Sequence, residues 1–143
     1  MKKFKIAYLG GGSKQWARTF MTDLALSEGL EGEIGLYDID EPAAILNKKI
    51  GEQINKNPKA ITKINYVVYS SLQDCLKDAN FVVISILPGT FEEMRSDVHA
   101  PEQYGIYQSV GDTAGPGGVL RAMRTVPIYE EFARNIELYC PNA

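Results

Sequence analysis

The sequence predicts an α/β fold, a parallel sheet with helices packed on its faces. Three observations predict it. Short apolar runs alternate with segments whose apolar residues recur at helical spacing, joined by short connections. The fourth run, Phe81–Leu87, is almost wholly apolar, as a central parallel strand covered on both faces should be. A run of three glycines, Gly10 to Gly12, joins the first strand to the first helix.

Each element follows from local pattern. Phe4–Leu9 is rich in β-favouring residues and stops at the glycines, so the first strand is expected there. Beyond it Trp16, Phe20 and Leu24 recur every four residues, with Ala17, Met21 and Ala25 beside them. That is one apolar face of a helix, with Ser13 its expected N-cap and Gly29 its stop. Glu33–Tyr37 reads as the second strand, closed by Asp38. Ile39-Asp40-Glu41-Pro42 looks like a helix start with proline in the first turn, and that helix should run to about Asn57, before Pro58. Ile64–Tyr69 is the expected third strand, and Ser71 the cap of a short helix through about Lys77. After Pro88 the character changes. Phe91 to about Tyr104 is expected as a helix and Gln108–Gly118 as a glycine-rich loop. Val119–Tyr139 should be mostly helical, with a break or kink near Pro127.

The 143 residues fit one domain, and a composition of 45% hydrophobic and 23% charged residues is that of a soluble globular chain. The net charge of −3 carries no block of like charge, so neither nucleic acid nor another polyanion is an expected partner. Cys75 and Cys140 form no motif together, and a reducing cytoplasm is the simpler expectation. The apolar run after Met1-Lys2-Lys3 ends at the glycines, too short for a secretory core, and no segment approaches the ~20 apolar residues of a membrane span.

The glycine turn carries the chemistry. In a dinucleotide site the first glycine makes a tight turn and the second lets a pyrophosphate approach the backbone. Free N–H groups of the helix start then face the phosphates. Asp38 lies 26 residues after Gly12, at the end of the second strand, where an acid accepts hydrogen bonds from ribose hydroxyls and disfavours the extra phosphate of NADP. The third glycine of the usual fingerprint is missing, since Gln15 stands there. Two readings therefore stand: a nucleotide site, or a tight βα turn with Asp38 an ordinary strand-end acid.

Two further segments invite the same double reading. Ser85-Ile86-Leu87-Pro88-Gly89 lies at the carboxyl end of the fourth strand, where ligands of open α/β sheets bind. Ser85 and Leu87 are expected to line a nicotinamide ribose there. Arg95, early in the next helix, would clamp an anionic substrate group, or else pair with Glu92 or Asp97 on the surface. Gly111 to Gly118 (GDTAGPGG) packs four glycines into eight residues, as a backbone in close approach to a ligand requires, or as a structural turn with Asp112 capping a helix. His99, the single histidine, has no ligand partner and reads as a surface or structural residue.

These residues resemble glycoside hydrolase family 4. The resemblance rests on KIAYLGGGS, IGLYDID, YGIYQSVGDTAGPGG and RAMRTVPIYEEFARNIELYCPNA, and covers essentially the whole chain. It implies a Rossmann-type, lactate/malate dehydrogenase-like NAD-binding domain over residues 1–143, with the family's C-terminal catalytic part lying beyond it. It implies NAD held by Gly10, Gly11, Gly12, Ser13 and Asp38, and a glycoside substrate facing Arg95, Asp112 and Thr113, with Asp112 a possible assisting acid. The SVGDTAGPGG wording is closer to members acting on α-uronides than to 6-phospho-glycosidases. The implied route oxidises the sugar at C3, removes the C2 proton, eliminates the glycosidic oxygen and adds water. The manganese ligands and the base of the family lie past residue 143, so no metal ligand is assigned here and neither cysteine is promoted to one. Relatives are usually homo-oligomers. The alternative is an NAD-dependent dehydrogenase of the malate or lactate type, which shares the four strands but leaves GDTAGPGG unexplained.

Overall fold

The computed structural model describes residues 3–109 and 114–143. Four strands, β1 (Phe4–Leu9), β2 (Gly32–Tyr37), β3 (Asn65–Val68) and β4 (Phe81–Ile84), form one parallel sheet in the order β3-β2-β1-β4. Helices α1 (Trp16–Leu26), α2 (Glu41–Lys56) and α3 (Leu72–Leu76) make the crossovers. The chain then continues through α4 (Phe91–His99), a 3-10 turn over Ala100–Tyr104 and α5 (Gly115–Tyr139). Contacts divide it into two compact units. Met1–Ile86 with Asn135–Ala143 holds the whole sheet, and Leu87–Arg134 holds α4 and most of α5.

The core of the first unit is what the apolar pattern demands. Ala17 and Met21 of α1 are buried in one cluster with Ile6 and Tyr8 of β1 and Ile34 and Leu36 of β2, and Ala25 is buried one turn further along the helix. Helix α2 is anchored by its cap: the Asp40 carboxylate accepts the Ala43 N–H at 3.1 Å, and Pro42 occupies the first turn. Ser71 caps α3 as expected, accepting the Asp74 N–H at 3.1 Å. Cys75 is fully buried under Gly35, and burial pushes its thiol up to about 12. Cys140 is buried just past the end of α5.

Several expectations are corrected. The expectation of a central strand at Phe81–Leu87 is not met among the described residues: there β4 pairs with β1 alone and stands at the sheet margin, with Phe81 60% exposed. It ends at Ile84 because its partner ends at Leu9, the last register pair. β3 starts at Asn65 rather than Ile64, because the Asn55 side chain takes both backbone groups of Ile64 at 3.1 and 2.7 Å. Ser13 does not cap α1. The helix opens at Trp16, Gln15 holds the cap position without a side-chain bond, and Ser13 N–H closes a turn on the Gly10 carbonyl. The Phe91–Tyr104 helix changes to 3-10 geometry at Ala100, where Pro101 has no N–H to give.

The expected glycine-rich loop also ends early. Gly115 turns the chain with φ of +74°, Pro116 suits a first helical turn, and Gly115–Gly118 begin α5. α5 runs on through Pro127 as one helix rather than breaking there. Within the second unit, Asp97 of α4 is 7% exposed and paired with both terminal nitrogens of Arg124 on α5. That bond raises the guanidinium's already high proton affinity.

Candidate nucleotide site

Strand order decides where a site forms. The chain builds β2 and β3 on one side of β1 and then returns to place β4 on the other. At such a reversal the two flanking loops leave in opposite directions and open a crevice outside the carboxyl ends of the strands. Register brings three of those ends level: Leu9 pairs with Tyr37 and with Ile84. The residues that follow are Gly10, Asp38 and Ser85, three of those singled out by sequence.

Gly10 is required twice over. Its φ is +96°, and a Cβ there would lie 2.0 Å from the Ser85 carbonyl oxygen. Ser85 N–H in turn donates to Leu9 at 2.8 Å, so the end of β4 is drawn tight against the turn. At Gly12 a Cβ would lie 2.9 Å from the Asp38 carboxylate. The turn's own amides are mostly spent. Gly10 and Gly11 both donate to the Tyr37 carbonyl at 2.9 Å, Gly12 donates to Asp38 Oδ2 at 2.7 Å, and Ser13 donates to Gly10. Among the described residues, the N–H groups of Lys14, Gln15, Trp16, Ala17 and Arg18 have no protein acceptor. They are the donors available to an anion here, while the glycines make room.

Asp38 is half-buried and oriented into the turn. Its second oxygen accepts the Asp40 N–H at 2.9 Å. A carboxylate offers about four acceptor positions, so two remain.

One residue escaped the sequence reading. Asn47 of α2 is fully buried, and its amide donates to the Gly11 carbonyl at 2.8 Å and the Ser13 carbonyl at 2.9 Å. Its oxygen accepts from Arg18 Nε at 2.9 Å. The signal was present: Ala44, Asn47 and Gly51 form the buried stripe of α2, and an amide among such residues asks for polar partners.

Leu87 and Arg95 belong to the second unit. Leu87 is 45% exposed, and Arg95 lines a shallow surface depression on α4 with Glu92, Ser96 and His99. Arg95 pairs with neither Glu92 nor Asp97, the latter being held by Arg124. His99 is on the surface, 2.8 Å from Glu102. Asp112 and Thr113 lie outside the described residues. Among the described residues, no three of His, Cys, Asp and Glu come together as a metal set. No described helix is long and apolar enough to cross a membrane.

Comparison with known proteins follows the same lines. The model of the family described as Family 4 glycosyl hydrolase matches residues 5–143. Over 139 residues the chain is 55% identical to an α-galacturonidase of Lachnoclostridium phytofermentans, covering 97% of this chain and 30% of that protein. It is 48% identical over 143 residues to an α-galacturonidase of Bacillus subtilis, covering 100% of this chain and 31% of that one. It is 32% identical over 141 residues to an α-galactosidase of the same species, covering 97% and 32%. The crystal structure of Bacillus subtilis lplD, described as a candidate glucosidase, superposes with a TM-score of 0.90 at 48% identity, covering 99% of this chain and 31% of that one. A 6-phospho-α-glucosidase from gut microorganisms, solved with NAD and Mn2+, shares the fold with a TM-score of 0.81 at 23% identity, covering 99% and 32%. The chain thus spans about 30% of the length of the α-galacturonidases it matches.

Proposed function

Because this chain belongs to family 4 of the glycosyl hydrolases, we propose that it is the NAD-binding part of a longer, NAD- and manganese-dependent glycosidase acting on α-galacturonides. The observation that carries the proposal is the glycine turn at the strand-order reversal, with unspent α1 amides beyond it and Asp38 beside it. These residues fit a dinucleotide. The absence of side chains at Gly10 to Gly12 leaves backbone that a pyrophosphate can approach. Lys14 to Trp16 supply donors at a helix start. Asp38 keeps acceptor capacity for ribose hydroxyls and repels the 2′-phosphate of NADP. Ser85 and Leu87 would line the nicotinamide ribose. Bound NAD supplies a reversible hydride acceptor. What this chain's own residues do is hold it and fix its direction.

The substrate class rests on similarity: 55% and 48% identity to α-galacturonidases, against 32% to an α-galactosidase. Arg95, exposed and free of ion pairs among the described residues, offers a planar fork for a uronate carboxylate. Asp112 and Thr113 are proposed to face the same sugar, Asp112 as an assisting acid. The metal ligands and the base are assigned to the longer protein beyond residue 143. A cytoplasmic homo-oligomer without nucleic-acid or membrane partners completes the proposal, supported by two free, buried cysteines and a net charge of −3. The family match over residues 5–143 sets aside a malate- or lactate-type dehydrogenase.

Calorimetric titration tests the cofactor reading. NAD+ should bind this chain and NADP+ more weakly, and Asp38→Asn should weaken NAD+ by roughly tenfold while narrowing the gap between the two. No heat with NAD+ would overturn it. In the full-length protein with NAD+ and Mn2+, faster turnover of 6-phospho-glycosides than of α-galacturonides would overturn the substrate reading.

A further inference from the structure

We infer that Asn47, fixed by Arg18, is a positioning residue for the dinucleotide turn, an inference resting on the NAD reading above. Asn47 sits in the buried stripe of α2, where packing alone would select an apolar side chain. Its amide is instead used on three sides. Both N–H groups go to carbonyls of the turn, those of Gly11 and Ser13, and the oxygen goes to Arg18. The partners fix which way the amide points, because two acceptors face its nitrogen and one donor faces its oxygen. In a trans peptide the C=O and the following N–H point in opposite directions. Holding the Ser13 carbonyl back onto α2 therefore aims the Lys14 N–H away from α2. Asn47 thus orients the first of the unspent amides, and Arg18, in the first turn of α1, keeps the Asn47 amide from rotating. An aspartate at this place would set a negative oxygen against two carbonyls, and a leucine would leave both without the amide, the Gly11 one in a buried place.

The test compares three variants of this chain by NAD+ titration, thermal melting and 15N amide shifts of Lys14, Gln15 and Trp16. Asn47→Asp should weaken NAD+ roughly tenfold or more, and Arg18→Leu about threefold, in protein that remains folded. Both should move the three amide signals before any ligand is added. Gly51→Ala serves as the control for stability alone, since a Cβ there would press on the Tyr66 ring at 2.6 Å, away from the turn. It should lower the melting temperature and leave NAD+ affinity unchanged. Parental affinity in Asn47→Asp, or in Arg18→Leu should the first variant not fold, overturns the inference. So does a Gly51→Ala variant that weakens NAD+ as much as Arg18→Leu. If the parent itself fails to bind NAD+, the cofactor reading falls. The amide shifts then judge the positioning alone, and unmoved signals in Arg18→Leu overturn it.

Discussion

Gly10→Ala separates two reasons for glycine that usually come together. Gly10 has φ of +96° and a Cβ there would meet the Ser85 carbonyl oxygen at 2.0 Å. Gly29 also has positive φ, +74°, but a Cβ there would meet nothing within 4 Å. Left-handed backbone costs a non-glycine residue about 1–2 kcal/mol, and both variants incur that. Only Gly10→Ala must also push the end of β4 away, lengthening the Ser85 to Leu9 hydrogen bond now at 2.8 Å. Overpacking of that kind adds about 1–3 kcal/mol. Gly29→Ala should therefore lose about 1 kcal/mol and Gly10→Ala about 3. Urea unfolding followed by circular dichroism reads both, and the gap should appear as a melting difference on the order of 5 °C. NAD+ binding should survive Gly29→Ala and be lost in Gly10→Ala. Equal destabilisation of the two variants would refute the claim that close approach, rather than turn geometry, dictates Gly10.

Two other outcomes follow from buried groups. The Cys75 thiol is pushed by burial from 9.0 up to about 12, so the folded chain keeps a proton that the unfolded chain releases. The contribution of this thiol should be level below about pH 9 and fall above it by up to about 1.4 kcal/mol per unit until the folded thiol also ionises, with the buried Cys140 acting in the same direction. Cys75→Ala should shrink that slope between about pH 9 and 10, before Tyr66, raised to about 12 from 10.0, contributes. An unchanged slope would exclude Cys75 as its source. Asp97→Leu should lower the melting temperature by leaving Arg124 without its carboxylate, and Asp97→Leu with Arg124→Met should recover part of the loss. A double variant less stable than Asp97→Leu would show the pair was not the cause.

Legibility in the sequence followed the range of the interactions. β1 was read to its final residue because strand and stop are both local, an apolar run ended by glycines. Asp38 and Gly10 were found because a turn and a strand-end acid have fixed spacing in such folds. The marginal place of β4 was not legible: an apolar run suggests covered faces and is silent about which strands lie alongside. The cap of α1 was missed because Ser13 puts both backbone groups into the turn, a choice made by Gly10 and Asn47 rather than by its neighbours. Asn47 and its carbonyls lie 36 and 34 residues apart, and Asp97 and Arg124 lie 27 apart. Pairings of that span appear only after the chain has folded.

The outer strands of the sheet are four residues each, while the inner two are six. A visiting strand could therefore zip onto either rim over only a brief stretch of backbone. Within these residues β4 is largely apolar with Phe81 exposed, so a strand added beside it would bury apolar surface over no more than four residues.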